Sequence, residues 1–136
     1  MGLLALLAAA VLAGSSPGGR AAAGHGLSIA VPSGWQLTHR RFTPCSDPVE
    51  RFSLVHGDQI LMLQERLDPI RAELKPRPLR FAVRGKAAPI ACCSIGSRRG
   101  FLLQFGESGR AFYAYLYPGR GSLRVLLLAL DSLRVE

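Results

Sequence analysis

The chain has 136 residues, 49% hydrophobic and 19% charged, a balance that excludes an intrinsically disordered protein. Its length suits one folded core and excludes a multidomain assembly. The formal charge of +8 arises from 17 basic residues, nearly all Arg, against 9 acidic ones, and it favours anionic partners such as envelope polymers or acidic lipid headgroups. The arginines are scattered and no aromatic-plus-basic motif accompanies them, which argues against nucleic-acid recognition.

The first segment, residues 1–23, reads as an export signal. Leu3 to Ala13 are almost only Leu and Ala, a run sized for a signal core and short of the ~20 apolar residues a bilayer span needs. Small residues place cleavage after Ala13 or after Ala23. A lipoprotein signal would carry a lipid-accepting cysteine where this chain has Ser15, so a released protein is expected, with a retained membrane tether as the alternative. Residues 24–136 then form one secreted or extracytoplasmic domain in an oxidising compartment, expected as a monomer.

Short strands separated by turn residues dominate that domain. Leu27 to Val31 alternate apolar and small residues and stop at Pro32-Ser33-Gly34, and Trp35 follows as a plug for one end of a core. Gln36 to Phe42 predict a second strand. Asp47-Pro48-Val49-Glu50 has the form of a capping box and predicts one helical turn. Phe52 to Val55 and Ile60 to Gln64 predict a hairpin around His56-Gly57-Asp58-Gln59. Lys75-Pro76-Arg77-Pro78 reads as a mobile connection. Leu79 to Arg84 alternate strictly, with Arg80 and Arg84 on one face and Phe81 and Val83 on the other, and predict a half-buried strand. Ala88 to Ile95, Phe101 to Phe105 and Ala111 to Tyr117 continue the series, with turns at Ser97 to Gly100 and Gly106 to Gly109. The period then changes: Ser122 caps a helix in which Leu123, Leu126, Leu127, Leu130 and Leu133 share a face, opposite Arg124 and Asp131. The expected fold is α+β, an antiparallel β-sheet meander with a C-terminal α-helix packed across one face.

Three cysteines, Cys45, Cys92 and Cys93, leave at least one unpaired within the chain. Adjacent strand residues point to opposite faces, which disfavours a bridge between Cys92 and Cys93. Cys45 with Cys92 is preferred and Cys45 with Cys93 is the alternative; either closes a long loop and contributes about 4 kcal/mol in the chain-entropy treatment. A thiol nucleophile, or a metal site built on His25, His39 or His56, lacks the Cys-x-x-Cys, His-x-x-x-His or nucleophile-elbow context such chemistry uses. Glu65, Asp68 and Glu73 lie around a strand end and a loop and read as solvated charge. No residue is assigned a catalytic, cofactor-binding or metal-binding role, and no cofactor is expected. Strand alternation places Tyr113, Tyr115 and Tyr117 on one face, opposite Phe112, Ala114 and Leu116; with Arg110 nearby, the tyrosine row is a candidate binding surface.

The opening Val31-Pro32-Ser33-Gly34-Trp35, the run of hairpins and the closing Ala129-Leu130-Asp131-Ser132-Leu133-Arg134 resemble small exported actinobacterial domains related to the PsbP-like group. That resemblance implies an antiparallel sheet flanked by helices in a binding or accessory module, and it transfers no catalytic residue. The chain is therefore expected to be a non-enzymatic exported binding or accessory domain of the cell envelope, with an envelope protein or anionic polymer as partner. A small secreted hydrolase or thiol enzyme is one alternative. Electrostatic adhesion to anionic polymer, with weak membrane-surface contact, is another.

Overall fold

Alternating apolar and polar residues make the strands, and glycine-bearing turns decide which of them pair. The computed structural model describes residues 19–43, 48–67, 74–90 and 98–136. Its strands are β1 (Arg20–Gly24), β2 (Leu27–Ala30), β3 (Gln36–Phe42), β4 (Val49–His56), β5 (Gln59–Arg66), β6 (Ala88–Pro89), β7 (Arg99–Glu107), β8 (Arg110–Tyr117) and β9 (Arg134–Val135). A helix, α1 (Leu123–Asp131), precedes β9. The fold is α+β, as the sequence pattern predicts.

The larger sheet has the order β3-β4-β5-β8-β7-β6, and the smaller has β1-β2-β9, with every neighbouring pair antiparallel. Gly57, at φ 59°, turns β4 into β5, and Ser108-Gly109, at φ 54° and 73°, turn β7 into β8 with the left-handed geometry that suits strand twist. The chain thus meanders through β3, β4 and β5, then returns so that β8 lies beside β5.

One face of the larger sheet packs against the smaller sheet and α1. Phe52, Leu54, Leu61, Leu63, Phe112 and Leu116 supply the sheet side of this core. Ile29, Val31, Leu126 and Leu130 close it from the other side, and Trp35 plugs one end with its ring stacked on His56 at 5.3 Å. Ser122 caps α1 by accepting from the Arg124 amide, as its place before the leucine run predicts. Leu126, Ala129 and Leu130 are the buried helical residues, so the predicted apolar face is the one that docks.

Several local expectations give way to tertiary contacts. Val49 and Glu50 continue β4 rather than a helical turn, because both pair in register with β3 and β5; Asp47 lies outside the described residues. Lys75 to Arg77 are pinned rather than mobile. The Gly106 amide donates to Lys75 O at 2.9 Å and the Arg77 amide donates to Gly106 O at 3.3 Å. The Arg77 guanidinium then donates to Leu133 O at 2.6 Å and Asp131 O at 2.8 Å, placing a cation where the α1 carbonyls concentrate negative charge.

Leu79 to Arg84 make no ladder despite their alternation. Phe81 enters the core and its amide donates to Asp131 Oδ1 at 2.7 Å, so one anchor from α1 replaces strand pairing. The same contact gives Asp131, placed opposite the leucine face, a partner in the 79–84 segment. β6 is shorter than the predicted Ala88 to Ile95 strand, and residues 91–97 lie outside the described set. Arg99 and Gly100, read as a turn, belong to β7. β1 begins at Arg20, inside the segment read as a signal, and Ala23 is buried in the core. Cleavage after Ala23 would remove most of this strand, and cleavage after Ala13 would leave it whole.

Gly100 of β7 stands where a side chain has no room. A Cβ there would sit 2.5 Å from Leu116 O and 2.7 Å from Tyr117 Cδ1, since the tyrosine ring lies across the glycine. Gly100→Ala is expected to lower unfolding free energy by about 1–3 kcal/mol through overpacking. Urea denaturation measures this, and an unchanged midpoint would contradict the contact.

Candidate functional site

The tyrosine row keeps its predicted face. Tyr115 and Tyr117, however, are buried in a second apolar cluster with Ile60 and Met62, and Tyr113 is half-buried beside them. Burial and the neighbouring tyrosines push the Tyr115 hydroxyl up in pKa. Arg110 is not brought to this row. Alternation along β8 sends it to the inner face, where its guanidinium carbon lies 5.6 Å from the Phe112 ring centroid. Cys45, Cys92 and Cys93 lie outside the described residues, as do Asp68 and Glu73.

Arg110 enters a polar cluster that the sequence reading did not assemble. Glu50 on β4 and Glu65 on β5 are register partners, only 2% and 4% exposed. Glu65, read as solvated charge, instead continues the core face of Leu61 and Leu63, just as Glu50 continues that of Phe52 and Leu54. Extending each alternation by one step is the signal that locates them.

Each carboxylate has an arginine and a histidine. Arg110 donates from Nε to Glu65 Oε2 and from Nη2 to Glu65 Oε1, both at 2.6 Å, a bidentate pair. His25, in the β1–β2 turn, lies with Nδ1 2.7 Å from Glu65 Oε1. Arg110 Nη2 lies 3.0 Å from the same Nδ1, so ring, guanidinium and carboxylate form one contact triangle. Glu50 is held in the same way by His39 Nε2 and by Arg41, whose Nε donates at 2.5 Å.

Burial pushes both carboxyls up, but the hydrogen bonds and positive charges of their partners outweigh it. Glu65 beside Arg110 and His25, and Glu50 beside His39 and Arg41, therefore both lie below the ordinary carboxylate value. Arg110 is in turn held above its ordinary value, chiefly by the hydrogen bond to Glu65 and against the opposing effect of burial.

This cluster acts as a clamp. Arg110 Nη2 also donates to His25 O at 2.6 Å and Nη1 to Glu136 O at 3.2 Å, so one side chain joins the larger sheet, the β1–β2 turn and the carboxyl-terminal residue. The three histidines named as metal candidates are separately engaged, His25 by Glu65, His39 by Glu50 and His56 by the Trp35 ring. Among the described residues no group of three or more His, Cys, Asp or Glu is placed to hold a metal ion.

The candidate binding site lies instead on the far edge of the larger sheet. A groove of about 600 Å³ runs between the 82–84 segment and β7, lined by Val83, Arg84, Ile90, Phe101, Leu102 and Leu103 among others. Its walls are mostly apolar, and Leu102 is 37% exposed. Beside it a depression of about 430 Å³ carries Arg98 and Arg99 at its rim, with Arg98 donating to Asp58 O at 3.2 Å. Sequence reading missed the groove because it assigned the 79–84 segment to a paired strand, which would have filled the space. Comparison with protein-family models, curated proteins and solved structures found no match to this chain.

The depressed carboxyls fix the sign of the acid response. Each contributes stability that is fully present above its unfolded value, near the ordinary 4.5, and that is lost as pH falls through the lower folded value. Glu65→Gln is expected to be clearly less stable than wild type at pH 7, where Arg110 loses its ionised partner, with the gap narrowing as pH falls below 4.5. Urea midpoints measured from pH 7 to pH 2.5 test this, and a gap independent of pH would contradict it.

Proposed function

We propose that the chain is an exported, non-enzymatic binding or accessory domain of the cell envelope, with the groove beside β7 as its binding site. The observation that carries this reading is the groove itself. Its volume of about 600 Å³ lies within the ~300–1,000 Å³ typical of ligand sites, and its apolar walls with Arg84 among them suit recognition. Glu50 and Glu65 support the same reading, because each is ionised and bonded within the fold rather than poised to exchange protons.

Export supplies the setting. Of the two cleavage positions the reading takes Ala13, supported by β1 contributing Ala23 to the core and by the Val31 amide donating to Gly19 O at 2.8 Å. The exported protein is expected to begin at or before Gly19, which intact-mass measurement of secreted material checks. A mature chain beginning at Gly24 would contradict it.

Binding is tested by screening the oxidised mature domain against peptides, amphiphiles and anionic polymers while mapping amide chemical shifts. Saturable shifts at Val83, Arg84, Phe101 and Leu103 are expected. Turnover of any screened compound would overturn the non-enzymatic reading. Electrostatic adhesion is the second reading, favoured by the paired arginines Arg98 and Arg99 at the adjoining depression. It predicts polymer binding that falls steeply between low and high salt and leaves the groove amides unshifted.

A further inference from the structure

We propose that the groove binds an extended acidic peptide segment by strand addition, completing an interrupted ladder at the edge of β7. This rests on the binding-domain reading and names the ligand class of the same site.

The backbone pattern carries the inference. The Ser108-Gly109 turn makes Glu107 and Arg110 the closing pair of a two-residue hairpin, so they exchange backbone hydrogen bonds. Alternation then directs the N–H and C=O groups of Phe101, Leu103 and Phe105 toward β8. Those of Gly100, Leu102, Gln104 and Gly106 point to the outer edge. Gly106 confirms the assignment independently, since its amide and carbonyl bond to Lys75 and Arg77 across that edge. Gly100 faces Ala88 of β6.

Leu102 and Gln104 lie between these two closed positions. Among the described residues no backbone or side-chain partner meets their edge-facing groups. The interruption from Gly100 to Gly106 spans about 20 Å at strand rise, room for a peptide of several extended residues. The 82–84 segment forms the opposite wall without bonding across it. The feature is thus a slot with backbone donors and acceptors on one side and apolar side chains around it, which is what strand addition requires.

Charge selects the peptide. Arg84 lines the slot, while Arg98 and Arg99 stand at the neighbouring depression on a chain of net charge +8. The three arginines outnumber Asp58, the carboxylate that lines the same depression, so an acidic segment gains and a basic one is repelled. Pairing of two copies of this edge would bring like charges together, so a foreign acidic strand fits better than self-association.

The test uses the oxidised mature protein and three blocked heptapeptides: alternating Val and Glu, the same with Lys for Glu, and the Glu peptide with Pro for every Val. The Val/Glu peptide is expected to bind at least about tenfold more tightly than either comparator. It should slow hydrogen exchange at Leu102 and Gln104 while leaving the already bonded Leu103 unchanged. Arg84→Glu, an exposed loop substitution, should reverse the preference between the Glu and Lys peptides. Binding without slowed exchange at Leu102 and Gln104, or equal binding of the proline peptide, would overturn strand addition and leave the binding-domain reading intact. Absence of peptide binding while an amphiphile shifts the groove amides would do the same. If neither class of probe shifts the groove amides, both readings fall.

Discussion

One guanidinium holds the two sheets in their relation. Arg110 leaves the inner face of β8, takes Glu65 of β5 in a bidentate pair, and reaches the backbone carbonyls of His25 and Glu136. A buried carboxylate without such a partner is costly to the fold, and removing one member of a buried pair typically costs about 3–5 kcal/mol. Glu50, Arg41 and His39 repeat the arrangement one strand away. The core face of the larger sheet therefore ends in ionised groups instead of apolar ones, and those groups fix where the β1–β2 hairpin sits.

The clamp and Arg77 both fasten the carboxyl-terminal end of the helix layer, Arg110 at Glu136 O and Arg77 at Leu133 O. Arg77 closes the end of α1 and Asp131 of α1 holds Phe81, so the 75–84 segment is drawn to the helix rather than to the sheet edge. Among the described residues this diversion leaves β7 without a ladder partner between Gly100 and Gly106. The opposite edge, β3, carries Arg40 and Arg41, charges of the kind that discourage uncontrolled strand pairing. The slot and the clamp are two consequences of one packing solution, with polar contacts fixing the helix layer and backbone groups remaining where that layer pulls a segment away.

Elements with a clean period were legible in the sequence. The β4–β5 hairpin, the strand ending in Tyr117 and the Ser122-capped leucine helix appear where alternation, turn residues and capping placed them. Leu79 to Arg84 carry equally clean alternation and yet form no strand, because pairing needs a neighbour in reach and the Phe81 amide is bonded to Asp131 instead. The Glu50 and Glu65 cluster escaped for a related reason. A glutamate at a strand end reads as solvated unless its cross-strand neighbours are known, and its partners come from as far as 45 residues away in sequence. Tyrosine alternation was readable, whereas the burial of Tyr115 and Tyr117 beneath a second cluster depends on packing that alternation does not encode.

The central claim is that, among the described residues, the edge of β7 is an open ladder between Gly100 and Gly106. Native-state hydrogen exchange of the free protein, resolved by residue along β7, addresses it most directly. Phe101, Leu103 and Phe105, bonded to β8, are predicted to exchange slowly, and Leu102 and Gln104 to exchange much faster, giving an alternating pattern bounded by slow Gly100 and Gly106. Uniform protection across these residues would mean that the edge is already paired, and would contradict the account.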